Sequence, residues 1–206
     1  MSSSTRRPGA PSWNACACRA TTCQDRPVSD HEAAGVSTDV AVRQARPADV
    51  RAIYELVQPY AERGILIDKE LITYFEAVQE FVVAEVVDET GTRTVGCGAL
   101  HVLWDDIAEV RTLAVDESVT GRGVGRRLLE TLVGRARGLG LKRVFCLTFE
   151  VEFFRRHGFE VIAGTPVGTD VYAQMLRSHD DGVAEFLDLA RVKPNTLGNS
   201  RMLLEL

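Results

Sequence analysis

The sequence lacks several features that would assign a function class directly. It contains no apolar run of about 18 residues, the length that crosses a bilayer, so no membrane span is predicted. It has no excess of basic residues: the net charge is −5, whereas nucleic-acid binding usually requires a basic face. No continuous apolar segment near the start resembles a secretory signal. These absences favour a cytoplasmic protein that binds neither membranes nor nucleic acids.

Cysteine is too scarce for a metal site or a disulfide framework. Of the five cysteines, Cys16, Cys18 and Cys23 lack a fourth ligand at zinc-site spacing, so no metal is expected. Cys97 and Cys146 lie in apolar, strand-like segments and are expected to be reduced core residues. Nothing in this pattern requires an oxidising compartment, which again favours the cytoplasm.

Hydrophobic periodicity divides the chain into an extension and one domain. Residues 1–38 are rich in Ser, Pro and Ala, and they are predicted to be a disordered N-terminal extension. In residues 39–206, strand-like and helix-like segments begin in the order β-α-α-β-β-β-α-β-α-β, and two more helices at 170–176 and 183–189 and a terminal strand at 201–206 are also predicted. This order predicts an α/β (α+β) domain, with a central mixed sheet and helices on both faces.

Three local features refine this prediction. Pro59 and Gly64 are expected to mark the end of the first helix. Glycines at 96 and 98, inside a strand pattern, indicate a close approach of another element. A second helix is expected after a cap at Asp68, with an inward face formed by Leu71, Ile72, Phe75 and Val78.

Residues 107–149 form the most informative stretch. An apolar, β-branched run is followed by a glycine-rich segment at 120–125, an amphipathic helix and a second apolar strand. Glycines before a helix allow a sharp turn and leave the first N–H groups free to bind phosphate. The alternative is a tight turn without a ligand. A dinucleotide site is disfavoured because no acidic residue follows about 20 positions later, and a P-loop is disfavoured because Gly-Lys-Ser/Thr is absent.

This stretch resembles the acetyl-CoA-binding motif of the Gcn5-related N-acetyltransferases, in residues 113–116 (LAVD) and 121–129 (GRGVGRRLL). The resemblance implies the fold of that family and acetyl-CoA as co-substrate, with its pyrophosphate held by loop amides. Thr120 departs from the family, which usually has Arg or Gln there, but backbone amides make most of the phosphate contacts. The implied cofactor-binding residues are Leu113, Val115, Thr120, Gly121, Arg122, Gly123, Val124, Gly125 and Arg126.

Segments outside this motif resemble N-acetylglutamate synthase, in its short, single-domain actinobacterial form. They are residues 60–66, 68–71, 97–100, 144–148, 153–159 and 199–203. The resemblance implies transfer of the acetyl group of acetyl-CoA to the α-amine of L-glutamate, the first step of arginine biosynthesis. Long forms carry an amino-acid-kinase-like domain in front, and a 38-residue extension is too short to hold one. Dimers through the terminal strands are also compatible with the resemblance.

Acetyl transfer to an amino acid requires a base, because the α-amine is mostly protonated at neutral pH. Glu109 is the candidate base, acting through water, since it lies in an otherwise apolar strand four residues before Leu113. The alternative is a solvated glutamate at the strand start. By resemblance, the backbone N–H of Leu113 polarises the thioester carbonyl. Phe154 stands where many family members have a tyrosine acid, so the proton donor stays open between solvent and Tyr172.

A dicarboxylate substrate requires cations, and an Arg fork matches a carboxylate well. Arg111 alternates with Glu109 and is expected on the same sheet face. Surface charge is the alternative for each basic residue. The other open functions are acetylation of another small amine, such as L-glutamine, and a non-catalytic acyl-CoA-binding sensor. The substrate-binding candidates are Lys69, Arg111, Thr148, Asn199, Ser200 and Arg201.

Overall fold

The structure is a computed structural model that describes residues 40–88, 91–189 and 198–206. The predicted extension at 1–38 lies outside the described residues. The described strands are β1 (Ala41–Gln44), β2 (Phe81–Asp88), β3 (Gly91–Val102), β4 (Ile107–Val115), β5 (Arg143–Thr148), β6 (Glu160–Val161) and β7 (Ser200–Glu205). The described helices are α1 (Val50–Glu62), α2 (Leu71–Glu76), α3 (Val124–Gly138), α4 (Val151–Arg155), α5 (Thr169–Met175) and α6 (Asp181–Phe186).

The strands form one mixed sheet in the order β1-β2-β3-β4-β5-β7-β6. Neighbours are antiparallel except β4 and β5, which are parallel. A parallel pair requires a crossover connection, and the 15-residue α3 provides it. The predicted α/β (α+β) fold with a central mixed sheet is confirmed. Among the described residues, no helix has the length and apolar character needed to span a bilayer.

Alternation along the strands divides the core between the two faces of the sheet. On β2, Val82 and Val86 pack in the cluster that contains the buried side of α3. Val83 faces the other way and packs in the cluster that contains α1. A third cluster, in which the ring centroids of Phe145 and Phe186 lie 4.9 Å apart, joins β5 to α6. Helices therefore cover both faces, as predicted.

Two strand glycines allow α3 to pack closely on β3. A Cβ atom at Gly96 would lie 2.9 Å from Leu128 Cδ1, and one at Gly98 would lie 2.9 Å from Leu132 Cδ1. Both leucines are fully buried. The close approach predicted from these glycines is confirmed, and it holds α3 against the middle strands of the sheet.

The predicted end of α1 was wrong at Pro59 but right at Gly64, which follows the C-cap residue Arg63 with φ 68°. The helix continues to Glu62. A proline inside a helix costs about 3 kcal/mol, because it removes an N–H and crowds the preceding turn. Here tertiary contacts hold the helix on both sides of it. Ile53 and Val57 are buried before it, and the Tyr60 hydroxyl after it donates to the Val115 carbonyl at 2.5 Å.

The predicted inward face of α2 was wrong at Ile72 and Phe75, whereas Leu71 and Val78 do pack against the cluster that contains α1. The helix follows Glu70 without a side-chain cap, and Asp68 does not cap it. Tyr74 is its buried residue, whereas Ile72 is 62% exposed and Phe75 is 37% exposed. Tyr74 packs edge-on against Tyr54 of α1, with ring centroids 5.7 Å apart. A helix of six residues is too short for periodicity to determine its buried side.

The middle of β4 is irregular, and the sheet opens there. Its pairing with β3 shifts register between Arg111 and Ala114, which creates a β-bulge at the two intervening residues. Thr112, the first of them, has φ 56°. The bulge reverses the alternation, so that Val110 before it and Leu113 within it both pack on the α3 side. The described pairing of β4 with β5 stops at Glu109.

Candidate active site

A cavity of about 960 Å³ lies where β4 and β5 cease to pair. Its wall is formed by β4, the loop before α3, the first turn of α3, the end of β5, α4 and the segment before α2. The volume is at the upper end of the range of about 300–1,000 Å³ that is typical of small-molecule sites. The cavity brings together thirteen of the predicted site residues: Lys69, Glu109, Arg111, Leu113, Val115, Thr120, Gly121, Gly123, Val124, Gly125, Arg126, Thr148 and Asn199.

The glycine-rich loop has a conformation that presents α3 to an anion. Gly121 and Gly123 have φ values of 81° and 78°, and Gly123 immediately precedes the helix. A Cβ atom at either position would meet no described atom within 4 Å, so conformation and not space requires glycine. No described side chain caps the helix start. Its first N–H groups and positive dipole end therefore suit the phosphates of acetyl-CoA.

Of the two arginines predicted to bind the co-substrate in this loop, one lines the cavity and the other does not. Arg126 lines the cavity, and its Nε donates to Glu130 Oε1 at 2.8 Å in an exposed i,i+4 pair. Arg122 is exposed and is not among the cavity-lining residues. Because the Arg126 pair is exposed to solvent, it contributes little to stability, about 0.3–0.5 kcal/mol.

The bulge on β4 lies in the cavity wall, where Leu113 and Val115 were predicted to contact the co-substrate. Hydrogen bonds from neighbouring elements fix two carbonyls here. The Cys97 thiol donates to the Thr112 carbonyl at 3.7 Å, and the Tyr60 hydroxyl donates to the Val115 carbonyl. The irregular backbone is therefore held from the side of β3 and α1, away from α3.

Glu109 and Arg111 lie on the same face of β4, as their alternation predicted. Glu109 is 3% exposed, and its Oε2 lies 3.3 Å from Arg111 Nε. The angle is too poor for a hydrogen bond, and Glu109 Oε2 has no hydrogen-bond partner among the described residues. Arg111 Nη1 instead donates to both carboxylate oxygens of Asp180, at 3.2 Å each. One guanidinium thus faces two carboxylates.

Burial and the neighbouring charges oppose each other in this cluster, and the outcome differs between its two carboxyl groups. Removal from solvent raises the pKa of Glu109, although the charges of Arg111, Lys69 and His101 oppose the rise. The pKa of Asp180 moves the other way. Burial would raise it, but Arg111 and the Val183 N–H outweigh burial and lower the pKa to about 2. Asp180 is therefore ionised at neutral pH, while Glu109 is a stronger base than an ordinary glutamate.

Lys69, Thr148 and Asn199 line the same cavity as Glu109. The charge of Lys69 lowers the pKa of both Glu109 and Asp180, so it lies within electrostatic reach of the cluster. Thr148 is buried, and its Oγ1 accepts from the Glu150 N–H at 2.9 Å. These groups supply a cation, a hydroxyl and an amide to the cavity.

Arg201 does not line the cavity. It donates from Nε to the Gly164 carbonyl at 2.9 Å and from Nη1 to the Glu185 carbonyl at 3.1 Å, and Nη2 donates to the Phe186 carbonyl. Its Cζ also lies 5.0 Å from the centroid of the Phe145 ring. Arg201 thus satisfies carbonyls at the end of α6. Ser200, its neighbour, is also not among the cavity-lining residues.

The residues considered as proton donors differ in whether they line the cavity. Phe154 lines the cavity and offers no proton. Tyr172 packs in the cluster with Phe145, and its hydroxyl donates to the Leu187 carbonyl at 3.4 Å, so it is not a cavity residue. Tyr60, which sequence reasoning did not consider, is the tyrosine that lines the cavity. Its hydroxyl is already used by the Val115 carbonyl.

Sequence reasoning missed Asp180 and Gly182. Asp180 precedes α6 and accepts from the Val183 N–H at 2.8 Å, so its position before a short apolar helix indicated a cap. Nothing local indicated its pairing with Arg111, 69 residues away. Among the described residues, no group of three His, Cys, Asp or Glu side chains could hold a metal ion.

Comparison with known proteins agrees with this geometry. Residues 50–159, more than half of the chain, match the acetyltransferase (GNAT) family. This chain belongs to the GNAT acetyltransferase family. A cavity that joins a phosphate-binding helix start to a strand bulge is consistent with the use of acetyl-CoA by GNAT enzymes. The predictions of an acyltransferase and of acetyl-CoA as co-substrate are confirmed.

Individual GNAT relatives are similar to this enzyme in sequence and in structure. The amino-acid acetyltransferase of Mycobacterium tuberculosis is 60% identical over 165 residues, which cover 80% of this chain and 94% of the relative. The crystal structure of Rv2747 from Mycobacterium tuberculosis, in complex with CoA and NLQ, is 60% identical with a TM-score of 0.77. It covers 81% of this chain and 99% of that one.

A more distant neighbour supports the fold alone. It is N-acetylglutamate synthase from Neisseria gonorrhoeae, complexed with coenzyme A and N-acetyl-glutamate. It is 24% identical with a TM-score of 0.63, and the match covers 82% of this chain but 36% of that one.

Proposed function

We propose that this enzyme transfers the acetyl group of acetyl-CoA to the α-amine of L-glutamate, in the biosynthesis of arginine. The observation that carries the proposal is the buried Glu109 beside Arg111, in the same cavity as Lys69 and the glycine-rich loop. A base between two cations suits an acceptor that carries both an amine and carboxylates. The 60% identity to an amino-acid acetyltransferase supports the same acceptor class.

In this proposal the coenzyme phosphates bind the amides of Gly121, Gly123, Val124, Gly125 and Arg126. The exposed Arg122 adds positive charge outside the cavity, and Thr120 borders the loop. The strand bulge directs the Leu113 N–H toward the thioester carbonyl, where it stabilises the developing oxyanion. Val115 contacts the chain of the coenzyme next to Leu113.

Glu109 acts as the general base. Its carboxylate takes a proton from the acceptor ammonium, directly or through one water, and the neutral amine attacks the carbonyl carbon. The C–N bond forms, the C–S bond breaks, the attacking nitrogen releases its remaining extra proton to solvent, and the departing thiolate takes a proton from solvent. The raised pKa of Glu109 suits this role, because a stronger base removes the amine proton more readily.

Recognition of the acceptor requires cations for its carboxylates. Lys69 and Arg111 supply them from inside the cavity, and Thr148 and Asn199 add hydrogen bonds. Ser200 and Arg201 support this end of the site through β7, since Arg201 ties that strand to the end of α6. Homodimer formation and a cytoplasmic location stay predictions.

The test is a panel of amino acids with acetyl-CoA and detection of the released thiol. L-Glutamate should give the highest kcat/KM, and thiol release no higher than background with every amino acid would contradict the proposal. Glu109→Gln should lower kcat about 10²- to 10⁴-fold. The matched control is Glu152→Gln, whose parent residue is exposed and ion-paired with Arg155 on α4.

The panel also separates L-glutamate from L-glutamine and from a sensor. Lys69→Met should lower kcat/KM for L-glutamate more than for L-glutamine, because the lost cation matters to the extra carboxylate. An equal loss of kcat/KM for the two amino acids would show that Lys69 does not bind the extra carboxylate. Coenzyme A binding without turnover on any amine would favour a non-catalytic sensor.

A further inference from the structure

Asp180 occupies a position that links α6 to the proposed base. Its Oδ1 accepts from the Val183 N–H at 2.8 Å and thereby caps α6. The same carboxylate accepts from Arg111 Nη1 through both oxygens at 3.2 Å. Arg111 is 11% exposed and lies between Asp180 and Glu109. One side chain therefore serves both the start of a helix and the cation beside Glu109.

The charges of this cluster explain what Asp180 contributes. If Arg111 faced Glu109 alone, the buried ion pair would stabilise the carboxylate and make it a weak base. Asp180 offsets the charge of Arg111 and draws its Nη1 away from Glu109. Glu109 Oε2 is then left without a hydrogen-bond donor among the described residues. A carboxylate oxygen without a donor accepts a proton more readily.

We infer that Asp180 is a positioning residue for the acetyl-transfer reaction: it holds Arg111 so that the guanidinium orients Glu109 without suppressing its basicity. The inference rests on the proposed role of Glu109 as base. Asp180 touches neither reactant, because it is not among the cavity-lining residues.

The packing of α6 on Arg111 is unusually close. A Cβ atom at Gly182 would lie 2.9 Å from Arg111 Cζ and 3.0 Å from Arg111 Nη1. Gly182 lines the cavity and is buried. Its missing side chain lets the first turn of α6 approach the guanidinium, which keeps Asp180 within hydrogen-bond distance.

Charged and titratable groups from every neighbouring element contribute to the ionisation of Glu109. They are Lys69 before α2, His101 on β3, Arg111 on β4, Cys146 on β5, Asp180 and Arg201. His101 Nδ1 lies 2.7 Å from Glu80 Oε1, which places a further carboxylate near the cluster. Cations lower the pKa of Glu109, and Asp180 raises it. Removal of the Asp180 charge should therefore lower it.

The decisive variant is Asp180→Asn, because asparagine keeps the helix cap but removes the charge. Asp180→Ala removes both, and Asp180→Glu restores the charge. Two readouts are needed: the pH profile of kcat/KM, and the Glu109 pKa from ¹³C-carboxyl NMR of the full chain. The Glu109 signal is identified by its loss in Glu109→Gln. The NMR measurement requires no acceptor.

Asp180→Asn should unfold at a lower temperature than the parent protein, because Arg111 loses an ion-pair partner, but it should stay folded and bind coenzyme A normally. The acidic limb of the profile and the NMR pKa should both fall by about 0.5–1 unit. At neutral pH, kcat should fall about three- to tenfold, because the base is weaker and Arg111 is less well placed. Asp180→Glu should recover part of the Glu109 pKa and part of kcat.

Gly182→Ala gives a second, independent test. The added methyl should push Arg111 off Asp180 and lower the Glu109 pKa in the same direction. Gly168→Ala is the control, since a Cβ there meets no described atom within 4 Å.

The outcomes separate this inference from the proposed function. An unchanged profile and NMR pKa in Asp180→Asn, with transfer intact, would refute the positioning role. A loss in Asp180→Ala but not in Asp180→Asn, without a pKa change in either variant, would also refute it and leave a helix cap alone. A lowered NMR pKa without transfer to any amine would support positioning and refute the proposed function.

Discussion

Two glycines at the start of α3 should respond in opposite ways to alanine. Gly123 has φ 78° with no described atom within 4 Å of a Cβ, so Gly123→Ala adds only backbone strain. That strain costs about 1–2 kcal/mol. At about 2–4 °C per kcal/mol for a chain of this size, the unfolding temperature should fall by about 3–6 °C.

Gly125 lies within α3 and has no positive φ. A Cβ atom there would lie 3.7 Å from Phe153 Cζ and 3.7 Å from Val115 Cγ2, which is ordinary contact. Gly125→Ala should therefore stabilise the helix by about 0.5 kcal/mol, because glycine loses more backbone entropy on folding. The unfolding temperature should rise by about 1–2 °C.

Coenzyme A binding should nevertheless weaken in both variants. Relaxation of the strained Gly123→Ala loop turns its N–H groups away from the phosphates. The Gly125→Ala methyl occupies cavity space beside Phe153. Saturation at about 100 times Kd stabilises a protein by about 2.7 kcal/mol, so a weaker Kd appears as a smaller ligand-induced shift.

The assay is thermal unfolding with and without coenzyme A. Gly123→Asn is the matched control, because asparagine tolerates the left-handed conformation and should keep most of the stability and the ligand-induced shift. The reasoning is refuted if Gly123→Ala unfolds at the parent temperature, or if Gly125→Ala is less stable than the parent protein.

Two further predictions concern stability. Gly98→Ala should destabilise the protein by about 1–3 kcal/mol in urea unfolding, because its Cβ would overlap Leu132. Gly134→Ala, in open space on α3, should instead stabilise the protein by about 1 kcal/mol. Equal effects of the two substitutions on stability would contradict the packing described. Asp49 accepts hydrogen bonds from Arg43 Nη1 and Nη2 at 2.7 and 2.8 Å. Hydrogen bonding to Arg43 is the main cause that lowers the pKa of Asp49. This stability is present above the unfolded-state pKa and is lost as pH falls through the folded-state pKa, so Asp49→Asn should cost about 1–3 kcal/mol at pH 7 and progressively less in acid. A loss of equal size at neutral and acidic pH would contradict it.

The sequence predicted the site best where function depends on a short segment. The glycines before α3 and the alternation of Glu109 with Arg111 are local patterns, and both lead to cavity residues. Prediction failed where long-range packing decided. The buried side of α2 depends on Tyr54 of α1, which local periodicity does not contain.

Arg201 is a second example of a prediction that failed because long-range packing decided the contacts of the side chain. Its place in a terminal motif predicted a substrate contact, but its guanidinium donates to carbonyls of residues 164, 185 and 186. Those carbonyls become neighbours only when β7 is inserted between β5 and β6. A charged residue near a site can therefore support the fold that holds the site.

The amino-acid sequence by itself determined the order of strands and helices, the glycine-rich loop before α3 and the family, because these follow from contiguous residues. The tertiary structure decided how Glu109 is ionised. Burial of its carboxylate and the pairing of Arg111 with Asp180, 69 residues away, depend on strands and helices that meet only in the folded chain. Electrostatic energy varies with distance and solvent exposure, and neither is written in the linear sequence.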